Sequence, residues 1–115
     1  MLEINRKSNE NITKKDIFLM TKNQNIMTMK SIENGTEIAV KQWILFSDLN
    51  RNTGEAVEIL SIMSEDGQVI ATNSDSFKDM FFDIVEILEE NEGFSIEKLG
   101  GKTKSGRNFV TCALI

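Results

Sequence analysis

Histidine, proline and long apolar runs are absent from this sequence of 115 residues, and cysteine occurs once. Without histidine the chain lacks the commonest general base and zinc ligand. The single cysteine, Cys112, excludes an internal disulfide, and no run of eighteen apolar residues offers a membrane span. We therefore expect neither a metallohydrolase nor a cysteine–histidine protease, and we expect no metal, no cofactor and no membrane partner.

The N-terminal residues also lack the apolar segment that a secretory signal needs. This predicts a cytoplasmic protein. Charged residues make up 27% of the chain and apolar residues 40%, which is typical of a folded globular protein. The length suits one domain with a core of useful size.

The net charge of −5 conceals an uneven distribution along the chain. Residues 1–47, 48–97 and 98–115 carry net charges of +2, −11 and +4. At physiological salt the Debye length is about 8 Å, so separate basic and acidic surfaces act independently. An acidic total charge therefore does not exclude a nucleic-acid partner.

Apolar periodicity and turn signals predict a mainly β fold with one helix, in the order βββαββ. The predicted strands are 37–46, 56–63, 68–72, 94–98 and 107–115, and the predicted helix is 74–91. A five-stranded OB-fold barrel has this order, with its helix between strands 3 and 4. Other small α+β sheets could share the order. We expect an OB-fold domain at residues 36–115, preceded by an N-terminal arm, residues 1–35, that could add a strand or a hairpin.

A glycine-rich basic segment joins the last two predicted strands. Its bases are Lys98, Lys102, Lys104 and Arg107, and it holds three glycines and no acidic residue. In the barrel interpretation this is one of the loops that embrace an oligonucleotide, and glycine allows backbone N–H groups to approach phosphates. The alternative is a solvated hairpin whose charges only maintain solubility.

Two aromatic residues are predicted on outward strand faces, each beside a base. On the first predicted strand, alternation places Ile38, Val40, Ile44 and Phe46 on one face and Lys41 with Trp43 on the other. On the last, Phe109 shares its face with Arg107. Bases of single-stranded nucleic acid stack on such aromatics while phosphates pair with the cations. The alternative is that one or both aromatics cover a second small core.

Carboxylates form a stripe on the predicted helix, opposite its apolar face. They are Asp79, Asp83, Glu86 and Glu90. A solvated helix face is the simplest interpretation, and a protein-docking surface that mimics nucleic acid is the alternative. No nucleophile–base pair can be assembled from these residues without histidine, so we expect no catalytic residue.

Two stretches resemble a known family. Residues 100–112, GGKTKSGRNFVTC, and residues 66–74, DGQVIATNS, are similar to those of small single-stranded DNA-binding proteins encoded by bacteriophages of Gram-positive hosts. The resemblance covers roughly residues 36–115. It implies an OB fold, sequence-independent binding of single strands in phage DNA replication or recombination, a homodimer or higher homo-oligomer, and a location in the host cytoplasm. The chain ends in Ala113-Leu114-Ile115 rather than an acidic tail, which puts tail-mediated recruitment of replication or recombination proteins in doubt.

Two functional hypotheses follow. In the first, the protein is a non-catalytic single-stranded DNA-binding module that contacts phosphates and stacks bases. The predicted phosphate contacts are Lys41, Arg51, Lys98, Lys102, Lys104 and Arg107, and the predicted stacking residues are Trp43 and Phe109. In the second, a phage or mobile-element protein inhibits a host protein through the acidic surface of residues 48–97.

Overall fold

A curled, open sheet dominates the computed structural model, which describes residues 2–49, 52–88 and 93–115. Within these ranges the chain forms seven strands and two α-helices. The strands are β1 (Glu3–Lys7), β2 (Met27–Thr28), β3 (Glu37–Leu49), β4 (Ala56–Ser64), β5 (Val69–Thr72), β6 (Phe94–Lys102) and β7 (Asn108–Leu114). The helices are α1 (Lys14–Thr21) and α2 (Asp75–Leu88), and a 3-10 turn spans Met29–Ser31.

The fold is mainly β, as predicted, but the expectation of five strands and one helix is wrong. The five predicted strands correspond to β3–β7, and the predicted helix corresponds to α2, which begins at Asp75. Residues 89–91 of that prediction lie outside the described residues. The additional elements β1, α1 and β2 all come from residues 2–35. Their sequences carry weak signals, because β1 (EINRK) lacks apolar alternation and β2 has two residues.

The long strand β3 organises the sheet, whose strand order is β2-β5-β4-β3-β6-β7. One edge of β3 pairs with β4 along residues 40–49. The opposite edge is shared, because β6 pairs antiparallel with residues 37–40 and β1 with residues 44–47. Strands β6 and β1 therefore follow one another along the same edge of β3.

A β-bulge at Lys41 changes which side chains of β3 face each side of the sheet. Val40 pairs with Ser64 and Gln42 pairs with Met63, so Lys41 is an extra residue without its own partner on β4. Alternation therefore reverses after Val40. The predicted common face of Ile38, Val40, Ile44 and Phe46 is wrong for this reason.

The sheet consequently packs against a separate core on each of its faces. Ile38, Val40 and, beyond the bulge, Trp43 and Leu45 belong to the core formed with α2. Ile44 and Phe46 belong to the other core, beneath the N-terminal elements. Two cores on opposite faces explain why a run from Gln42 to Phe46 is buried without interruption.

Helix α2 covers the first core with an apolar stripe at helical spacing. Phe77, Phe81, Ile84 and Val85 are buried there. Ser74 caps the helix, since its hydroxyl accepts from the backbone N–H of Phe77 at 3.3 Å. The same hydroxyl lies 3.3 Å from the carbonyl oxygen of Val110 and donates to it, which ties the start of α2 to β7.

Helix α1 and the segments around it cover the second core. Thr13 caps α1 by accepting from the N–H of Asp16 at 3.1 Å. Met20 is fully buried against Ile44 and Phe46. Neither helix of the described residues is long and apolar enough to cross a membrane. Residues 2–35 thus add strands β1 and β2 to the sheet of the remaining chain, and their helix α1 covers one of its faces.

Candidate nucleic-acid interface

The β6–β7 hairpin presents the predicted basic segment at one end of the sheet. Its last strand pair joins Lys102 to Asn108. The turn between them, residues 103–107, is held by a bond from the N–H of Thr103 to the carbonyl of Arg107 at 2.8 Å, and Gly106 adopts a positive φ of 84°. Residues 101–109 are all exposed. The loop therefore holds Lys104 and Arg107 in contact with solvent.

Beside this hairpin lies a groove of about 300 Å³, hereafter the basic groove. Its lining residues are Lys30, Asn34, Lys98, Gly100, Gly101, Lys102, Asn108, Phe109 and Val110. Three of them are lysines and none is acidic. Since like charges repel where no counter-charge is present, such a groove favours an anionic ligand.

Lys98 is the most enclosed base of the basic groove, with 5% of its surface exposed. Its Nζ donates to Oδ1 of Asn34 at 2.8 Å, and within the described ranges it forms no ion pair with a carboxylate. An ammonium group has three N–H donors, and a neutral amide oxygen satisfies one of them. Two donors of Lys98 are therefore available to a ligand in the groove.

Gly100 and Gly101 allow this close packing. A Cβ at Gly100 would lie 3.0 Å from Asn34 Oδ1 and 3.6 Å from Lys98 Nζ, so a side chain there would displace the Lys98–Asn34 contact. A Cβ at Gly101 would lie 3.1 Å from the Phe109 ring. The absence of side chains thus leaves room for the Lys98 ammonium group beside Gly100 and for the Phe109 ring beside Gly101.

Phe109 is partly available for stacking. It is 37% exposed, and its ring packs on Gly101, its partner across the ladder. Successive residues of a strand point to opposite faces, so Phe109 and Gly101 share one face while Lys98 and Gly100 share the other. The hairpin therefore places the aromatic ring and the enclosed ammonium group on its two sides.

Trp43 is not the outward stacking residue that the sequence predicts. It is 3% exposed and makes edge contacts with Phe81 and Phe82, at centroid distances of 5.9 and 5.1 Å. The guanidinium group of Arg6 lies 5.6 Å from its ring. The reason is the bulge at Lys41, which turns Trp43 towards α2.

Comparisons with family models, with curated proteins and with solved structures find no match to this chain. Function is therefore inferred from these residues and their geometry.

The structure does not gather all predicted phosphate contacts. Lys102, Lys104 and Arg107 lie together on the hairpin, and Lys98 lines the groove beside them. Lys41 is exposed, but it follows Val40, which pairs with Phe94 at the start of β6. Phe94 lies about 26 Å along the strand from Lys102, at a rise of ~3.3 Å per residue. Arg51 lies outside the described residues.

Lys30 and Asn34 are groove residues that sequence reasoning missed. Lys30 belongs to the 3-10 turn and Asn34 precedes the turn glycine Gly35. The N–H of Gly35 donates to the carbonyl of Lys98 at 2.7 Å, which fixes this segment against β6. The Asn34-Gly35 pair indicates a turn, but nothing in the local sequence shows that the turn packs against Lys98, 63 residues further along the chain.

The carboxylate stripe of α2 faces solvent. Asp79, Asp83 and Glu86 are exposed, and Glu90 lies outside the described residues. Met80 and Ile87, on the same helix, are 42% and 78% exposed. No group of three or more Asp, Glu or Cys within the described ranges could hold a metal ion. The stripe has the character of a charged surface with apolar residues beside it.

Proposed function

We propose that this protein is a non-catalytic, sequence-independent single-stranded DNA-binding protein that acts in phage DNA replication or recombination. The observation that carries this proposal is the basic groove, where Lys30, Lys98 and Lys102 surround a space without a lining carboxylate. Lys104 and Arg107 extend the same positive surface along the hairpin. Phosphates supply the complementary charge.

The chemistry of these groups supports binding without sequence preference. Ammonium and guanidinium groups contact phosphates, which are the same in every nucleotide. Phe109, the partly exposed aromatic, can stack on any base because every base has a π face. We expect Phe109 to prefer unpaired bases, since the faces of paired bases are covered by their neighbours.

The strand order supports the interpretation of the curled, open sheet, hereafter the half-barrel, as a variant of the OB fold. Strands β3–β7 with α2 follow the βββαββ order, and β4-β3-β6-β7 are neighbours in the sheet. In the described residues β5 pairs with β2 rather than with β7, so the sheet stays open. We propose an OB-type barrel whose closing pair is replaced by α2, with β1, α1 and β2 added to it.

The oligomeric state of this protein and its contacts with other proteins stay predictions. The resemblance predicts a homodimer or higher homo-oligomer, and contacts with replication or recombination proteins. Leu114 and Ile115, at the end of β7, are 46% and 59% exposed and offer apolar surface to a second copy. Light scattering of the purified protein measures its mass in solution, and a Leu114→Lys variant tests this surface.

The direct test is a fluorescence-anisotropy titration of labelled oligo-dT at several salt concentrations. We expect Lys102→Ala/Lys104→Ala to weaken binding at low salt and to reduce the salt slope by about 1.4, at ~0.7 per phosphate contact. The matched control is Lys14→Ala/Lys15→Ala, which removes two exposed charges from α1. Equal affinities and slopes for the two variants would exclude the hairpin as the DNA contact.

A second candidate function is capture of a basic host protein by the acidic face of α2. The specific observation is that Ile87 and Met80 are exposed among carboxylates, an arrangement suited to an apolar contact with a charged rim. Charge reversal at Asp79→Lys/Asp83→Lys should abolish capture of a host factor and leave oligo-dT binding intact. Undiminished capture would count against this candidate.

A further inference from the structure

A second groove adjoins the basic groove and differs from it in character. It measures about 360 Å³ and lies between β2, β4 and the end of β5; we call it the apolar groove. Ile59 and Ala71 supply its apolar wall, while Thr28, Thr72 and Asn73 supply polar atoms. Lys30 is its only charged lining residue.

Lys30 lines both grooves and therefore marks the place where they meet. Its backbone is fixed, because the preceding Met29 is fully buried and the N–H of Ile32 donates to the carbonyl of Met29 at 3.2 Å. The Lys30 side chain is exposed and forms no ion pair with a carboxylate in the described part of the chain. A fixed backbone with an available ammonium group suits a ligand contact.

The two grooves flank the opening of the half-barrel. Asn73, after β5, lines the apolar groove, and Val110, on β7, lines the basic groove. Ser74 links these two edges through its bond to the Val110 carbonyl. A nucleic-acid strand that passes from one groove to the other would meet Lys30, since Lys30 lines both.

We infer that a single nucleic-acid strand runs through both grooves, with one base seated in the apolar groove and the adjoining phosphate held by Lys30. This inference rests on the proposed function and names the path of its ligand. A nucleotide combines a flat apolar base with an anion, which matches an apolar pocket with one lysine at its exit. The next phosphate then meets Lys98 and Lys102. Lys30 becomes the residue that positions the strand between a base site and a phosphate site.

The test separates base binding from phosphate binding. Labelled oligo-dT is compared with an abasic oligomer of the same length and charge, in anisotropy titrations with the full chain. We expect wild type to prefer oligo-dT, with roughly five- to 150-fold contributed by each stacked base. Thr28→Met, at an exposed position on the rim of the apolar groove, fills part of the groove without adding an aromatic face. It should lower this preference by the contribution of one base, retain the contribution of Phe109, and leave the abasic affinity unchanged.

Lys30→Ala should weaken the binding of both oligomers and reduce the salt slope of that binding by about 0.7. Its matched control is Lys15→Ala, an exposed lysine that lines neither groove. If Thr28→Met does not fold, the comparison of Lys30→Ala with Lys15→Ala still decides the role of Lys30.

The outcomes distinguish this inference from the proposed function. Wild-type behaviour of Lys30→Ala, together with weakened binding by Lys102→Ala/Lys104→Ala, would overturn the path and retain the DNA-binding function. Failure of the wild-type protein to bind either oligomer would overturn both. A weaker base preference in Thr28→Met, together with a salt slope lowered by about 0.7 in Lys30→Ala, would establish the path.

Discussion

The guanidinium carbon of Arg6 lies 4.5 Å from the ring centroid of Phe82. The same group lies 5.6 Å from the ring of Trp43, so strand β1 places a cation over the aromatic end of the core that α2 forms with the sheet. A cation above an aromatic face is stabilised by the ring quadrupole. The N-terminal strand is therefore bound to the rest of the fold by more than its pairing with β3.

A double-mutant cycle measures this contact. Arg6→Ala and Phe82→Leu should each destabilise the protein, and their coupling free energy should be about 0.5–1 kcal/mol, the value for a cation–π pair near the surface. Urea unfolding followed by Trp43 fluorescence gives the free energies. Additive effects of the two substitutions would show that Arg6 acts through other contacts.

The fluorescence of Trp43 should report its burial in the core rather than the binding of a ligand. Because 3% of its surface is exposed, its emission should be blue-shifted and resist quenching by acrylamide until the protein unfolds. Addition of oligo-dT should change this emission little, even where anisotropy detects binding, since the indole has no free face to offer a base. Strong quenching by oligo-dT alone would contradict the buried position.

Deletion of Lys41 should be tolerated. Lys41 is the extra residue of the bulge, so its removal leaves Val40 and Trp43 facing α2 and Gln42 facing the opposite core. Deletion of Ser61 is the matched control, because Ser61 pairs regularly with Ile44. That deletion turns part of β4 over and exchanges the side chains that the two cores receive, so neither core keeps its packing.

Thermal unfolding of the two deletion variants checks this prediction. We expect the Lys41 deletion to keep a cooperative transition and buried Trp43 emission, whereas the Ser61 deletion should abolish the cooperative transition. Loss of folding in both variants would mean that the curvature imposed by the bulge is itself required.

Cys112 should be unreactive in the folded protein. Burial raises the pKa of its thiol to about 12, from an ordinary value of 9.0, so the nucleophilic thiolate is scarce at neutral pH. A thiol reagent at pH 8 should label the unfolded chain and spare the native one. Between pH 9 and 12 the unfolded state loses this proton first, so Cys112 lowers the free energy of unfolding as pH rises.

The comparison of wild type with Cys112→Ala isolates that pH dependence, because the two proteins share every other titratable group. As the pH increases, the free energy of unfolding of wild type should fall relative to that of Cys112→Ala. A difference that is constant with pH, or rapid labelling of the native protein, would contradict the buried thiol.

Local sequence patterns were sufficient to predict the strands and the helix of residues 36–115. The run of β-prone residues in β4 and the helical spacing of Phe77, Phe81 and Ile84 on α2 are properties of the segments themselves, and the corresponding elements were predicted within a few residues. The order βββαββ followed from them. What such patterns cannot supply is the pairing of strands distant in sequence, and therefore the open edge of the sheet.

The errors in the candidate site have a common physical origin. Trp43 was assigned to the wrong face because a single extra residue, Lys41, inverts alternation and leaves no local sign of doing so. Lys30 was missed because its position depends on the pairing of Thr28 with Ala71, 43 residues away. Charge and glycine content did identify the hairpin, since those properties belong to the segment itself.

The shared edge of β3 also sets an order of events during folding. The contacts of β3 with β4 close over short stretches of chain, but residues 37–40 wait for β6, whose residues 94–97 follow almost 60 positions later. Such distant pairings slow folding. During synthesis, β1 can cover residues 44–47 while the first third of the edge stays open. The N-terminal strand therefore shields a nascent sheet from pairing with neighbouring chains before its own last strands have emerged.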